Sequence, residues 1–537
     1  MRPRHVRPKP LGELAASLGA TAAATSPAPA RAGAGRPPPG ELMLTGITHD
    51  SRRVRAGDLY VALPGSRHHG AEFSADAAAA GAVAVLTDAG GSRAAAAAGL
   101  PMLAVASPRA SLGEAASWVY GHPSARLLLI GVTGTSGKTT TTYFLEAALK
   151  MAGHRAGLIG GVQTRVDGET ATSTLTTPEA PDLQALLAAM VERGVTAAAM
   201  EVSSHALALG RVAGTSYAAA VFTNLSQDHL DFHADIDDYF AAKARLFTPE
   251  YTQIGVVNVD DRYGRMLAGS APIPVTTFSA QGNPGADWRA VDVRLGTDGS
   301  SLRVVGPGGV EADGAVALPG PFNVANALGA VVALVEAGVG LQTAVAGVGA
   351  CPGVPGRLEQ VDAGQDFTVY VDYSHKPGAV EAVLRALRPV TQGTLAIVLG
   401  CGGDRDAAKR PMMGAIAARL ADVAIFTSDN PRSEDPLAIL AAMLDGAIDV
   451  PAAQRAHVIV EPDRAAAIAL AAGSASRGDV VVVAGKGHET GQYVAGGVIP
   501  FDDRQVAAEA LSRQRARRTS WPTTLAASDA APDSEGL

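Results

Sequence analysis

Residues 127–141 read LLLIGVTGTSGKTTT. The unbroken apolar run Leu127 to Ile130 is the pattern of a buried strand. It feeds a glycine-rich turn that ends in Lys138-Thr139 at the start of a helical stretch. A turn of this kind is a phosphate cradle. Its backbone N–H groups and the helix dipole receive phosphate oxygens, so Thr133, Thr135, Ser136 and Thr140 are candidate ATP contacts. Lys138 adds a point charge, and the Thr139 hydroxyl offers a ligand to Mg²⁺. The strict phosphate-loop pattern asks for glycine at 132. This chain has Val132, and its glycines are Gly131, Gly134 and Gly137. The whole stretch Gly131 to Thr140 is the candidate nucleotide site, and Lys138 is its first candidate catalytic residue.

Composition limits what surrounds this loop. A chain of 537 residues has room for about three domains, each with its own core. Hydrophobic residues at 47% and charged residues at 18% describe a globular protein. A net charge of -8 disfavours a nucleic-acid partner. Two cysteines, Cys351 and Cys401, build no disulfide framework and suit a reducing cytoplasm. No apolar run reaches the roughly 18 residues of a membrane span, and no signal-peptide core follows the basic N-terminus. Residues 21–40 are an Ala/Pro/Gly tract, and disorder is expected for an extension 1–40 and a polar tail 514–537.

Between these ends the chain reads as α/β with three domains. Short strand patterns ending at Ile47 and at 59–63, 83–86 and 102–105, separated by Ala-rich helices, make a small domain over 41–125. Patterns at 157–160, 197–202, 220–224 and 255–259 join the phosphate-loop strand in a mostly parallel sheet over 126–352. The cluster Cys351-Pro352-Gly353-Val354-Pro355-Gly356 has the look of a hinge. Beyond it, patterns at 367–371, 395–399, 423–426 and 480–483 predict a Rossmann-like doubly wound domain over 353–513. Its ligands should sit at the C-terminal ends of the strands.

Polar clusters fall at those strand ends. Glu201 closes an apolar strand and begins EVSSH, where a carboxylate beside a nucleotide site holds Mg²⁺ directly or through water. The loop Asn224 to His233 gathers Asp228, His229, Asp231 and His233, which could serve a second cation. Asp231 is the best candidate to cap the helix that follows. Lys243, in YFAAKARLF, reads as a snorkelling surface lysine. In the third domain, Arg405 in GCGGDRD, Arg432 in SDNPR and Glu489 in GKGHE follow three successive strands. Two arginines for carboxylates and an acid for an ammonium describe a pocket for a zwitterionic amino acid. Asn323, and Asp372 with His375 and Lys376, lie near the predicted junction of the second and third domains, suited to a base and ribose.

Taken in order, Asp50-Ser51-Arg52, GVTGTSGKTTT, Thr176-Thr177-Pro178, EVSSHAL, the loop from Asn224 to Asp231, Lys243, GPFNVAN, GRLE at 356–359, DYSHKP, GCGGDRD, DNPR and GKGHE resemble the Mur ligase family from about 41 to 510. The resemblance implies an ATP-dependent amide synthesis in the peptidoglycan pathway. The free carboxyl of D-glutamate in UDP-MurNAc-L-Ala-D-Glu would be phosphorylated, and the amine of meso-2,6-diaminopimelate would displace the phosphate. It also implies a UDP-binding first domain, ATP and Mg²⁺ as cofactors, and small-molecule substrates as partners; a cytoplasmic monomer is the expectation set beside it. By position, Thr139, Glu201 and His229 would hold Mg²⁺, with Lys243 carbamylated. Ser51, Ser66, Arg67 and His68 would face UDP, and Thr176, Thr177, Ser203 and Arg211 the MurNAc-dipeptide. Asn323, Arg357 and Asp372 would serve adenine, γ-phosphate and ribose. Arg405, Asp429, Asn430, Pro431, Arg432, Gly485 and Glu489 would bind diaminopimelate, with Arg432 separating it from L-lysine. Leu209, Leu175 and His49 depart from the family pattern near the sugar-peptide contacts. A folylpolyglutamate synthase shares the loop and the third-domain sheet but lacks the UDP-binding domain. A non-catalytic nucleotide-binding protein is disfavoured by the intact Lys138, Glu201, His229 and Lys243.

Overall fold

The computed structural model describes residues 1–20, 22–23, 38–171 and 175–519. The chain divides into two bodies, Met1–Gly353 and Val354–Leu537, and the division falls inside the Pro/Gly cluster.

The first body opens with a five-stranded sheet. Its order is Ala22–Ala23, Met102–Ala104, Ala84–Thr87, Asp58–Val61, Gly46–Thr48, and the last four strands are parallel. Residues 1–20 belong to this fold, which corrects the disordered extension for that half; residue 21 and residues 24–37 lie outside the described residues. The apolar pair Leu11 and Leu14 on the helix Leu11–Ser17 enters the same core as Leu44, Ile47 and Leu59. Lys9–Pro10 pairs antiparallel with Met43–Leu44. The Arg2 guanidinium meets both oxygens of the buried Asp58 at 2.8 Å, and the backbone N–H groups of Arg4 and His5 donate to Glu192. Composition drew attention to the Ala/Pro tract and hid a two-leucine anchor just before it.

The phosphate-loop strand, Leu128–Thr133, lies in the interior of an 11-stranded sheet. Its neighbours Ala197–Glu201 and Ala219–Phe222 are both parallel to it. Ala156–Ile159, Gly255–Asn258 and Val275–Ser279 continue the parallel part. Buried on both faces, these strands read as continuous apolar runs. The two edges were not legible in this way. Thr164–Val166 and Glu169–Ala171 form an antiparallel hairpin at one edge. Trp288–Leu295, Ser300–Val305 and Glu311–Val316 extend the other, and each alternates between buried and exposed positions.

The second body is a six-stranded sheet in the order Glu359–Gln360, Thr368–Asp372, Val480–Ala484, Leu395–Leu399, Val423–Phe426, His457–Val460. All pairs but the first are parallel, as doubly wound topology requires. The final helix, Asp503–Thr519, packs Ala507, Ala510 and Leu511 into this core, so residues 514–519, expected to lie in a polar tail, are helical. Residues 520–537 lie outside the described residues. The start of that helix is pinned by a fully buried pair, Arg464 to Asp503 at 2.6 and 2.7 Å.

Candidate active site

Parallel pairing decides what the loop meets. The register sets Glu201 beside Val132 and Phe222 beside Thr133, so EVSSH and TNLSQDH emerge on either side of the cradle. Val132 is still strand, with its side chain fully buried in the core. That is why glycine is not needed there. It is needed at Gly134 (φ 145°), where a Cβ would lie 1.9 Å from Thr223 Oγ1, and at Gly137 (φ 89°), where it would lie 2.2 Å from Asn326 Oδ1.

The loop is held from outside itself. Asn224 Oδ1 accepts from Ser136 N at 3.0 Å, Asn224 Nδ2 donates to Ser136 O at 3.2 Å, and Thr135 N donates to Asn224 O at 2.9 Å. Thr223 Oγ1 donates to Ser136 O at 2.6 Å, and Thr135 Oγ1 lies 3.2 Å from the Tyr239 hydroxyl. Asn224, Thr223, Asn326 and Tyr239 therefore shape the cradle. Asn224, Asn326 and Tyr239 fall within the loop from Asn224, GPFNVAN and YFAAKARLF, where the sequence assigned them no role. Lys138 Nζ curls back to Gly134 O at 2.9 Å and Thr135 O at 3.0 Å. Thr139 and Thr140 occupy the first turn of the helix Lys138–Met151.

Glu201 is buried, accepting from Thr139 Oγ1 at 3.1 Å and from Gly161 N at 3.0 Å. Among the described residues it makes no ion pair. A buried carboxylate without a counter-charge favours a cation at this spot, and hydroxyl and carboxylate oxygens are hard donors suited to Mg²⁺. No group of three or more His, Cys, Asp or Glu side chains among the described residues could hold a metal by itself.

His229 (φ 55°) pairs with Asp228 at 3.2 Å, and its ring lies 4.7 Å from His205 and 6.0 Å from Tyr239. His205 in turn stacks on Phe232 at 4.1 Å. Lys243 corrects its sequence reading. It is 1% exposed, with Nζ 2.8 Å from Gly134 O and 4.5 Å above the Tyr239 ring. Its helix, Ile236–Ala244, is capped by Asp235, which accepts from Asp237 N and Asp238 N, and not by Asp231.

Thr177 and Ser203 share the strand end with Glu201. Thr177 Oγ1 donates to Glu201 O at 2.9 Å and accepts from Ser203 N at 3.1 Å. Thr176 lies against Gly161, whose Cβ would come within 2.9 Å of Thr176 Oγ1. Arg211 is paired with Glu179 at 2.8 Å, as is Arg109. Asn323 Oδ1 accepts from Asn326 Nδ2 at 3.2 Å, and Asn326 abuts Gly137. Ser51 opens a short turn capped by Asp50, while Ser66, Arg67 and His68 form an exposed loop.

In the second body the strands Val480–Ala484, Leu395–Leu399 and Val423–Phe426 are consecutive neighbours, so GKGHE, GCGGDRD and SDNPR converge. Arg432 (φ 53°) follows Pro431, donates from Nη1 to Gly403 O at 2.6 Å and lies 5.9 Å over Tyr493. Asn430 Nδ2 donates to Glu489 Oε2 at 2.9 Å. Arg405 is exposed. Asp429 is buried against Gly485, whose Cβ would lie 2.6 Å from Asp429 Oδ2; burial raises its pKa, with Arg464 and Lys486 opposing. Asp372 accepts from Leu358 N and Ser374 N at 2.8 Å, and the Arg357 guanidinium covers Tyr373 at 4.4 Å.

Burial, with Lys376 and Lys409 nearby, lowers His375 from 6.5 to about 3. Its folded-state pKa is depressed, so its contribution to stability is complete above 6.5 and is lost as pH falls toward 3. The second body should lose about 2 kcal/mol between pH 7.5 and 5 on this account. His375→Gln should flatten that slope. Hydrogen exchange in Thr368–Asp372 and Val480–Ala484 at the two pH values measures it, and identical slopes would refute the assignment.

Three family descriptions match successive stretches of the chain. They are "Mur ligase family, catalytic domain" over 43–120, "Mur ligase middle domain" over 132–334 and "Mur ligase, glutamate ligase domain" over 356–487. A Streptomyces coelicolor protein named UDP-N-acetylmuramoyl-L-alanyl-D-glutamate--2,6-diaminopimelate ligase is 58% identical over 512 residues, covering 95% of this chain and 98% of its own length. A Corynebacterium glutamicum protein of the same name is 49% identical over 484 residues, covering 88% and 93%. A solved structure of a ligase with that name superposes with a TM-score of 0.67 at 31% identity, covering 95% of this chain and 100% of its own. Folylpolyglutamate synthase from Mycobacterium tuberculosis shares the fold, with a TM-score of 0.56 at 20% identity over 75% of this chain and 94% of its own. The loop, the flanking strand ends and the matched length agree, and this chain belongs to the Mur ligase family.

Proposed function

We propose that the protein is an ATP-dependent ligase that joins meso-2,6-diaminopimelate to the D-glutamate carboxyl of UDP-MurNAc-L-Ala-D-Glu, in peptidoglycan precursor synthesis. The observation that carries the choice of amino acid is the convergence of Arg432, Asn430 and Glu489 at neighbouring strand ends. Relatives with that name at 58% and 49% identity support it.

A carboxylate is a poor electrophile, and phosphorylation gives it a leaving group. Lys138 and the N–H groups in the first turn of the helix Lys138–Met151 would hold the transferring phosphate and spread its charge, while Thr135 N and Ser136 N are taken up by Asn224. Thr139, Glu201 and His229, with carbamylated Lys243, would hold Mg²⁺, which neutralises phosphate charge when bound. Thr176, Thr177, Ser203 and Arg211 would orient the dipeptide, and Ser51 with Ser66, Arg67 and His68 would take the UDP end. Asn323, Arg357 and Asp372 would serve the nucleotide. Arg405 and Arg432 would take carboxylates of diaminopimelate, with Asp429, Pro431 and Gly485 shaping the loops that carry them. The reaction draws on ATP and a nucleotide-linked precursor, so we place it in the cytoplasm, carried out by a monomer. No helix among the described residues is long and apolar enough to cross a membrane.

Phosphate release with ATP, UDP-MurNAc-L-Ala-D-Glu and either diaminopimelate or L-lysine tests the reading. Turnover should require diaminopimelate. Arg432→Ala should lower kcat/KM for it by about 100-fold, the loss of a bidentate charge pair. Preference for L-lysine in the wild type, or unchanged kinetics in the variant, would overturn the assignment.

A further inference from the structure

Lys486, in GKGHE, is fully buried. The turn that buries it is built from Gly485 (φ 116°) and Gly487 (φ 53°); a Cβ on Gly487 would come 2.7 Å from Tyr373 Cβ. An ammonium has three N–H donors, and this one meets three acceptors: Gly491 O at 2.6 Å, Asn430 Oδ1 at 2.9 Å and Glu489 Oε2 at 3.3 Å. Tyr493 N also donates to Asn430 Oδ1, at 3.0 Å.

An ammonium and a backbone N–H can only donate, so the Asn430 amide has one orientation, with its oxygen inward and its NH₂ outward. One N–H of that NH₂ reaches Glu489 Oε2 at 2.9 Å. Its second N–H, and the other oxygen of Glu489, take no partner among the described residues. The pair thus leaves one donor and one anionic acceptor unused by the described residues.

We propose that Lys486 is a positioning residue that sets the polarity of the amino-acid subsite. Through it, Asn430 offers only an N–H, to a substrate carboxylate, and Glu489 offers an oxygen, to the neighbouring ammonium. This rests on the reading of the protein as a diaminopimelate ligase. Without the buried ammonium, Asn430 Oδ1 keeps only the Tyr493 N–H, so the amide is held less firmly against turning its oxygen to the substrate, where it repels a carboxylate and accepts from a carboxamide. A lysine that merely supported the fold would change the amount of active enzyme, and not which end group is accepted.

Lys486→Met keeps the length and removes the charge. Its KM for diaminopimelate should rise about 30-fold, with KM for ATP and for UDP-MurNAc-dipeptide unchanged within about twofold. The kcat/KM preference for diaminopimelate over its monoamide should fall about tenfold. This ratio is independent of the folded fraction. Asn430→Asp retains the pairing with Lys486 but removes the outward N–H, and should show the same shift if Lys486→Met does not fold. Unchanged KM and unchanged monoamide preference in either folded variant, or a parallel rise in KM for ATP, would overturn the proposal. A wild-type enzyme that ignores diaminopimelate would instead remove the functional reading, and this inference with it.

Discussion

Lys138→Met should reduce kcat by about three orders of magnitude or more, the scale of removing a charge that stabilises a transferring phosphoryl group. The side chain occupies the first position of the helix Lys138–Met151 and reaches back over Gly134 O and Thr135 O. Methionine has similar length and helix propensity, and the loop is held independently by Asn224 and Thr223. The fold should therefore survive while the charge is lost. Phosphate release measures turnover, and the thermal transition checks the fold. A folded variant within tenfold of wild type would mean that the loop is not the site of phosphoryl transfer.

Lys243→Arg should cost about 10³-fold in turnover, because a guanidinium can neither be carbamylated nor supply an oxygen to a cation. The position is buried, against Gly134 O and the Tyr239 ring. Lys243→Ala leaves space there, and acetate or formate should restore part of its activity by supplying the missing anionic oxygen. Intact protein mass should show one added CO₂ on the wild type and none on either variant. Near-normal turnover of Lys243→Arg would refute the carbamate, as would a folded Lys243→Ala that no carboxylate rescues.

Lys243 also shows where sequence reading stops. FAAKA is a helical pattern whose lysine has apolar neighbours, and for an isolated helix a solvated ammonium is the cheaper state. Only docking of Ile236–Ala244 against the loop through Tyr239 turns that lysine inward. The helix cap is similar. Asp231 and Asp235 both precede the helix by a few residues, and backbone geometry chose Asp235. The outer hairpins were hidden because their half-exposed strands lack the unbroken apolar runs that marked the interior.

The loop, the strand-end carboxylate Glu201 and the DNPR and GKGHE runs could all be read from the sequence. Each is a local instruction: a tight turn, a helix start, a polar residue after an apolar strand. The sequence alone determined the three-domain α/β plan and the family resemblance, because buried parallel strands write themselves as apolar runs and phosphate loops as glycine spacing. Tertiary structure decided partnership. Parallel register placed Glu201 beside Val132, strand order drew Arg432 and Glu489 into one cluster, and a glycine turn buried Lys486 where it orients Asn430. Those pairings join residues far apart in the chain, and their energies arise only once the sheet has formed.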